Sequence, residues 1–155
     1  MDLSTHYTLC IVVDGGRVLL GEKKTGWGQG DWNAFGGRVE AGESNEQAMS
    51  RELFEEVGLR AVLYRPCGKI IGDFQPSGEQ ATVHLYIVSA FAGEPHESDE
   101  MRPQWFSADN LPLDRMWKGD RLWFQGVIAG KSVYGHIHYA DEREFISSNL
   151  TWVDK

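Results

Sequence analysis

Several large classes of protein are marked by features that this sequence has little of. Cysteine is one: only Cys10 and Cys67 occur in 155 residues. Neither belongs to a CxxC pair or to a Cys/His cluster with zinc spacing, so a disulfide framework or structural zinc site is not expected, and two reduced thiols are. Long apolar runs are also missing. None approaches the roughly eighteen residues that a membrane span needs. The opening MDLSTHYTLC carries neither the basic region nor the long apolar core of a signal peptide, so the expected location is the cytoplasm. Positive charge is scarce, with 15 Lys and Arg against 23 Asp and Glu and a net charge of −8. A general nucleic-acid surface needs a basic footprint, so no nucleic-acid partner is expected, and no membrane partner either. A nucleotide substrate stays open, because a cation can bridge acidic groups to polyphosphate. Repeats, low-complexity tracts and Pro/Ser-rich linkers are absent. One domain over residues 1–155, acting as a monomer, is the expectation.

What is present changes every ten to fifteen residues, as in a compact mixed α/β domain. Tyr7 to Val13 is rich in β-branched residues and reads as a buried strand. Asp14-Gly15-Gly16 is a turn signal, with a return strand from Arg17 to Lys23. Thr25 to Gly37 is rich in glycine and contains Trp27 and Trp32; it reads as a loop with a binding surface. Ser44 and Gln47 form a capping box opening a helix that runs to about Val57, closed by Gly58. Strands are expected over Lys69–Phe74 and Ala81–Phe91, with a short one at Gln104–Phe106. A second helix is expected over Asp120–Ile128, closed by Gly130. Ser132–Tyr139 and Glu144–Trp152 form a last strand pair, turning at Ala140 to Arg143.

The most informative segment is GRVEAGESNEQAMSRELFEEVGL, Gly37 to Leu59. In a helix, Glu52, Glu55 and Glu56 stand at i, i+3 and i+4, on one face. Like charges at that spacing repel, and a hard divalent cation offsets the repulsion. Alone, such a string reads as a solvated helix face. Here the glycine-rich stretch Phe35 to Glu43 leads straight into it, and glycine lets backbone approach a ligand closely. Leu53 and Val57 point to an adjoining face. Arg51 can pair with Glu43.

The segment resembles the Nudix box, G-x5-E-x7-R-E-U-x-E-E-x-G-U with U aliphatic, through Gly37, Glu43, Arg51, Glu52, Leu53, Glu55, Glu56, Gly58 and Leu59. The resemblance implies an α/β/α sandwich around a mixed β-sheet. It implies magnesium, with manganese as a substitute, held by Glu52, Glu55 and Glu56 and by a carbonyl at the Gly36–Gly37 turn. Arg51 and Glu43 would form a structural ion pair. YTLCIVV, RVLLGEKK, GWGQGDWNAFGG, ESDEMRPQWF and MWKGDRLWF are similar to the MutT-homologue branch, the oxidised purine nucleoside triphosphate diphosphatases. From that resemblance, Asn33 and Asp120 contact the purine edge, Trp117 stacks on the base, Thr8, Trp27 and Met101 line the pocket, and Lys23 lies near sugar or phosphates. Glu100 stands over the metals as a ligand or a base, and Glu56 or Glu100 is the general base.

The same residues have plainer readings. Trp117 can pack on a helix start, Thr8 and Met101 can be core, Asn33 can be a turn residue, and Asp120 can be an N-cap. His136 and His138 alternate on one strand, where a solvated face is the plain reading and a metal pair the alternative. One departure from the branch stands out. Its members that discriminate oxidised purines carry two adjacent aspartates after the tryptophan, and here Trp117-Lys118-Gly119-Asp120 has glycine first. Gly72 and Ala81 stand where bulkier pocket residues are expected. The function expected is magnesium-dependent cleavage of an oxidised or otherwise modified purine nucleoside triphosphate to monophosphate and pyrophosphate, which would cleanse the nucleotide pool. The alternatives are a methylated-purine or general nucleoside triphosphate as substrate, and a non-catalytic nucleotide-binding module. No EF-hand pattern is present.

Overall fold

The computed structural model describes residues 4–26, 28–75, 77–140 and 144–154. Trp27, and Asp141 to Arg143 of the expected last turn, lie outside the described residues. Nine strands run through the described chain: β1 Thr5–Asp14, β2 Arg17–Lys23, β3 Trp32–Asn33, β4 Phe35–Arg38, β5 Arg60–Phe74, β6 Glu79–Ala92, β7 Met101–Ser107, β8 Ser132–Tyr139 and β9 Phe145–Val153. The long helix α1 covers Asn45–Val57 and the short α2 covers Phe124–Ile128. The main path of the sheet is β3-β2-β1-β6-β5-β8-β9, with β4 also pairing β1 and β7 also pairing β2. Two pairings, β1 with β6 and β5 with β8, are parallel and the others antiparallel, which makes the sheet mixed as expected.

Alternation along β1 creates the layers. Cys10 and Val12 join Met49, Leu53 and Val57 of α1 in one buried cluster. Ile11, one residue out of phase, joins Trp123, Phe124 and Val127 in the other. Successive strand side chains point to opposite faces, so one buried strand serves both cores. The α/β expectation of a mixed sheet between helical layers therefore holds, with few helices.

α1 begins and ends where its sequence says. The Ser44 hydroxyl accepts from the Gln47 N–H at 3.1 Å, and the Gln47 side chain accepts from the Ser44 N–H at 2.9 Å. Such a cap contributes about 1 kcal/mol. Gly58 closes the helix at φ 78°, where a side chain would be strained. Met49, Leu53 and Val57 are each at most 1% exposed. Burying each contributes about 1.5–3 kcal/mol, against a few tenths for each repulsive pair of glutamates. Packing wins, and the sheet can hold a helix whose other face is crowded with carboxylates.

The structure corrects three expectations. The strand expected over Lys69–Phe74 already begins at Arg60, where β5 pairs with β6 through register shifts that break its alternation. The segment Thr25–Gly37 is not all loop: Trp32–Asn33 pairs with β2, and Phe35–Arg38 pairs with β1. β3 is two residues long and half of β4 is glycine, so they carry too little alternation to read. The second helix is not continuous from Asp120. A 3-10 turn, Asp120–Leu122, comes first, and the α-helix starts at Phe124. Trp123 stands at the junction of the two pieces at φ −125°, outside helical geometry, and both Trp123 and Phe124 are buried in the same core. Gly126 lies under Trp152 of β9, so closely that a side chain there would overlap the indole. No helix of the described residues is long and apolar enough to cross a membrane. Both cysteines are buried and free.

Candidate functional site

The pairing of β1 with β4 places Gly36 opposite Leu9 and Gly37 opposite Thr8. A Cβ on Gly36 would run into the Thr8 carbonyl oxygen and lie 2.8 Å from its carbon and 2.9 Å from Leu9 Cα. A Cβ on Gly37 would stand 2.5 Å from the Glu52 carboxyl carbon. Both positions need glycine for close approach, one to backbone and one to a carboxylate. The Gly36 N–H donates to Glu56 Oε1 at 2.8 Å, tying the turn to the helix.

Glu56 is 5% exposed, an unusual place for a carboxylate. Burial pushes its pKa up to about 8; the Gly36 N–H holds it down, while Glu52 and Glu100 push it further up and Lys23 pulls it down. Glu52 is also raised, first by burial, with the Arg51 hydrogen bond opposing and the charges of Glu55 and Glu100 adding. Glu52, Glu56 and Glu100 are thus close enough to feel one another. Glu100 reaches the cluster from the end of β7. Its carbonyl accepts from the Lys24 N–H at 2.8 Å, and Lys24 Nζ holds Glu97 at 2.6 Å and the Ser98 carbonyl at 2.9 Å.

Glu55 is placed differently. Its carboxylate is exposed and lies 3.3 Å from an Arg51 nitrogen. Arg51 also donates to Glu43 at 2.6 and 3.0 Å, to Glu52 at 2.8 Å and to the Arg38 carbonyl at 3.1 Å. The Arg51 guanidinium holds Glu43 down to about 2. Arg51 and Glu43 therefore pair as anticipated. The same guanidinium fastens the glycine-rich turn to α1. Among the described residues no three carboxylate, imidazole or thiol groups already form a metal cage, since Glu55 turns toward Arg51. The chemistry of the donor set nevertheless fits a hard divalent cation: crowded carboxylates, of which Glu52 and Glu56 are raised first by burial and further by their acidic neighbours.

Glu56, Gly36, Gly37 and Lys23 open into a cavity of about 450 Å³. Thr8, Asn33, Met101, Trp117 and Asp120 line the same cavity. Of the expected pocket residues, only Trp27 lies outside the described residues. Thr8 and Met101 are both buried and cavity-lining, so their core and pocket readings coincide. The Thr8 hydroxyl oxygen is buried without a hydrogen-bond partner, which costs about 1–3 kcal/mol unless a ligand satisfies it. Asn33 sits in β3 rather than in a turn, and its amide makes only a 3.4 Å contact to the Asp31 carbonyl. Trp117 is held edge-on by Phe74 at 6.5 Å and Tyr139 at 5.4 Å. Phe74, Trp123 and Tyr139 also line the cavity and are not among the pocket residues expected from the sequence. The burial alternation in β8, with Val133, Ile137 and Tyr139 all inward, was the available signal.

Asp120 opens the 3-10 turn and is not an N-cap, since no side-chain cap bond is made there. Removal from water pushes its carboxyl up to about 7, against a Trp123 hydrogen bond that lowers it. Because the folded protein holds this proton more tightly than the unfolded chain does, the associated stability is fully present below about 3.8 and is lost as pH rises to about 7. Asp120→Asn cannot ionise. Its melting temperature relative to the parent should climb by several degrees between pH 4 and pH 7, read by thermal melts. A difference that does not vary with pH would contradict this. Outside the cavity, His138 Nδ1 meets Asp73 Oδ2 at 2.7 Å and stacks on exposed His136 at 6.1 Å, so the pair has a carboxylate partner.

Comparison with known proteins bears on the site as a whole. The NUDIX domain model matches residues 5–127. The chain is 44% identical over 154 residues to an oxidized purine nucleoside triphosphate hydrolase of Danio rerio, covering 99% of each. It is 42% identical to the protein of that description in Mus musculus, again over 99% of each. A crystal structure of a MutT protein from Bacillus halodurans superposes with a TM-score of 0.83 at 31% identity, covering 94% of this chain and 97% of that one.

Proposed function

The chain belongs to the Nudix family, and from that premise we propose that it is a magnesium-dependent pyrophosphohydrolase of oxidised purine nucleoside triphosphates, releasing nucleoside monophosphate and pyrophosphate. One observation carries the reading. The buried carboxylate Glu56 and the aromatic and amide groups Trp117 and Asn33 line a single cavity large enough for a nucleotide base. Relatives that are 42–44% identical over nearly their whole length are named oxidized purine nucleoside triphosphate hydrolases.

Magnesium, with manganese as a substitute, would be held by Glu52, Glu55, Glu56, Glu100 and the Gly36 carbonyl, and there it would neutralise the triphosphate and lower the pKa of the attacking water. Glu56 or Glu100 takes the proton of that water. Attack at the β-phosphorus releases the monophosphate. Lys23 offers its charge to the phosphates. Trp117 stacks on the base, worth roughly 1–3 kcal/mol. The Asn33 amide reads the purine edge, as an amide can with two hydrogen bonds. Thr8, Trp27 and Met101 bound the base, and Asp120 bonds its edge. In this proposal residues 1–155 act as one monomeric catalytic domain in the cytoplasm.

A second reading concerns the base. Gly72 and Ala81 pair across β5 and β6 and line the cavity with small residues, with the Tyr139 ring standing 3.3 Å from where a Gly72 Cβ would be, and an alkylated base is the substrate that this reading adds. Comparing kcat/KM for oxidised, N6-methylated and unmodified purine triphosphates decides between them. The oxidised substrates should lead by about tenfold or more, a difference of roughly 1.4 kcal/mol. Equal values, or a lead for the methylated substrate, would overturn the oxidised-purine assignment. A binding module without activity is disfavoured because all three helix glutamates are present.

A further inference from the structure

We propose that the Tyr139 hydroxyl fills the base-reading place that glycine leaves open at position 119, so that the purine edge meets a phenol and a carboxyl, Tyr139 and Asp120, rather than two neighbouring carboxyls. The inference rests on the functional reading above and assigns a specificity residue within it.

The geometry is specific to this chain. A Cβ built on Gly119 would overlap the Tyr139 hydroxyl oxygen, lie 3.0 Å from Tyr139 Cζ and approach Ile137 Cδ1 to 3.4 Å. Gly119 has φ −64°, so no backbone strain calls for glycine there. What calls for it is the phenol. Tyr139 ends β8, opposite Phe74 of β5, and its ring stacks on Phe74 at 5.0 Å and 11° between planes. Trp117 packs against it T-shaped at 5.4 Å and 73°, and Trp117 and Phe74 are themselves 6.5 Å apart. The ring is 5% exposed and lines the same cavity as Asn33, Trp117 and Asp120. Burial and the contacts with Phe74 and Trp117 hold the ring with its hydroxyl beside residue 119.

The chemistry follows from that point. A phenol both donates and accepts a hydrogen bond. Burial and the nearby charge of Asp120 raise the Tyr139 pKa, so the phenol keeps its proton and remains a donor at neutral pH. Asp120 is the adjacent acceptor when ionised, and a donor when protonated. A purine edge with an acceptor beside an N–H group matches this pair. The number of charges facing the base is one fewer than two carboxylates would supply.

Tyr139→Phe removes only the hydroxyl and keeps the stacked ring. It should lower kcat/KM for the best purine triphosphate about three- to tenfold, the loss carried by KM rather than kcat. Binding of the matching monophosphate, measured by calorimetry in EDTA, should weaken by a similar factor. Pyrimidine triphosphates should be affected less, so base selectivity narrows. Gly119→Asp should be more damaging with the hydroxyl present than in the Tyr139→Phe background, where the overlap is relieved. An unchanged KM and monophosphate affinity in Tyr139→Phe would overturn this inference alone, and so would an equal loss on purines and pyrimidines carried by kcat. A parent protein inactive on every purine triphosphate overturns it together with the functional reading.

Discussion

Glu56→Gln is expected to lower kcat by about 10³-fold or more while leaving the affinity for nucleotide monophosphate within a few-fold of the parent's. The side chains have nearly the same shape. The Gln carbonyl can still accept from the Gly36 N–H, which now bonds Glu56 at 2.8 Å, so the turn stays tied to the helix. What goes is a negative oxygen, as a cation ligand or as a proton acceptor. The folded protein should not suffer. Burial drives Glu56 up to about 8, so its contribution to stability is present below about 4.5 and is lost as pH rises to about 8. In EDTA at pH 8 the Gln variant should therefore melt no lower than the parent. Single-turnover assays and thermal melts together check this. Near-normal turnover would remove Glu56 from the chemistry, and a collapse in melting temperature would mean that lost activity reports unfolding.

The second large effect separates two neighbouring glycines. Gly36→Ala should cost about 3 kcal/mol, because its Cβ would meet the Thr8 carbonyl in the paired strand, and backbone cannot yield there without parting β1 from β4. At this chain length that is a fall of roughly 6–12 °C in melting temperature. Gly37→Ala should behave in the opposite way. Its Cβ would meet only the end of Glu52, 2.5 Å away, and a flexible side chain can move. Stability should change by about 1 kcal/mol or less, while kcat falls at least tenfold as the Glu52 carboxylate is displaced. Equal melting temperatures for the two variants would contradict the β1–β4 register, and an unimpaired Gly37→Ala would contradict a role for Glu52.

Most of the carboxylate side of the site was legible in the sequence because it is local. Ser44 to Leu59 carries its own caps, its own apolar stripe and its own charges, so spacing along one helix specifies it. Spacing places Glu55 on the face of Glu52 and Glu56 and one turn from Arg51; what it leaves open is the counter-charge that the exposed Glu55 carboxylate meets, which in the structure is Arg51 at 3.3 Å. The base side was less legible because it is assembled from distant segments. Thr8, Asn33, Met101 and Asp120 came from a resemblance, not from any pattern in their surroundings. The link between Gly119 and Tyr139 spans twenty residues and two elements. A missing aspartate is visible in a sequence, whereas the phenol that occupies its space appears only once β8 is laid beside β5. The short strands β3 and β4 were hidden for other reasons: two residues are too few to show an alternation, and in β4 the glycines that allow close approach erase it.

Product identification from an oxidised purine triphosphate, with magnesium and with EDTA, tests most directly whether the acidic cluster beside Gly36 and Gly37 of β4 splits the nucleotide between its α- and β-phosphates. The expected result is one pyrophosphate and one monophosphate for each nucleotide consumed, and none in EDTA. Orthophosphate with a nucleoside diphosphate, or pyrophosphate release that persists in EDTA, would contradict it.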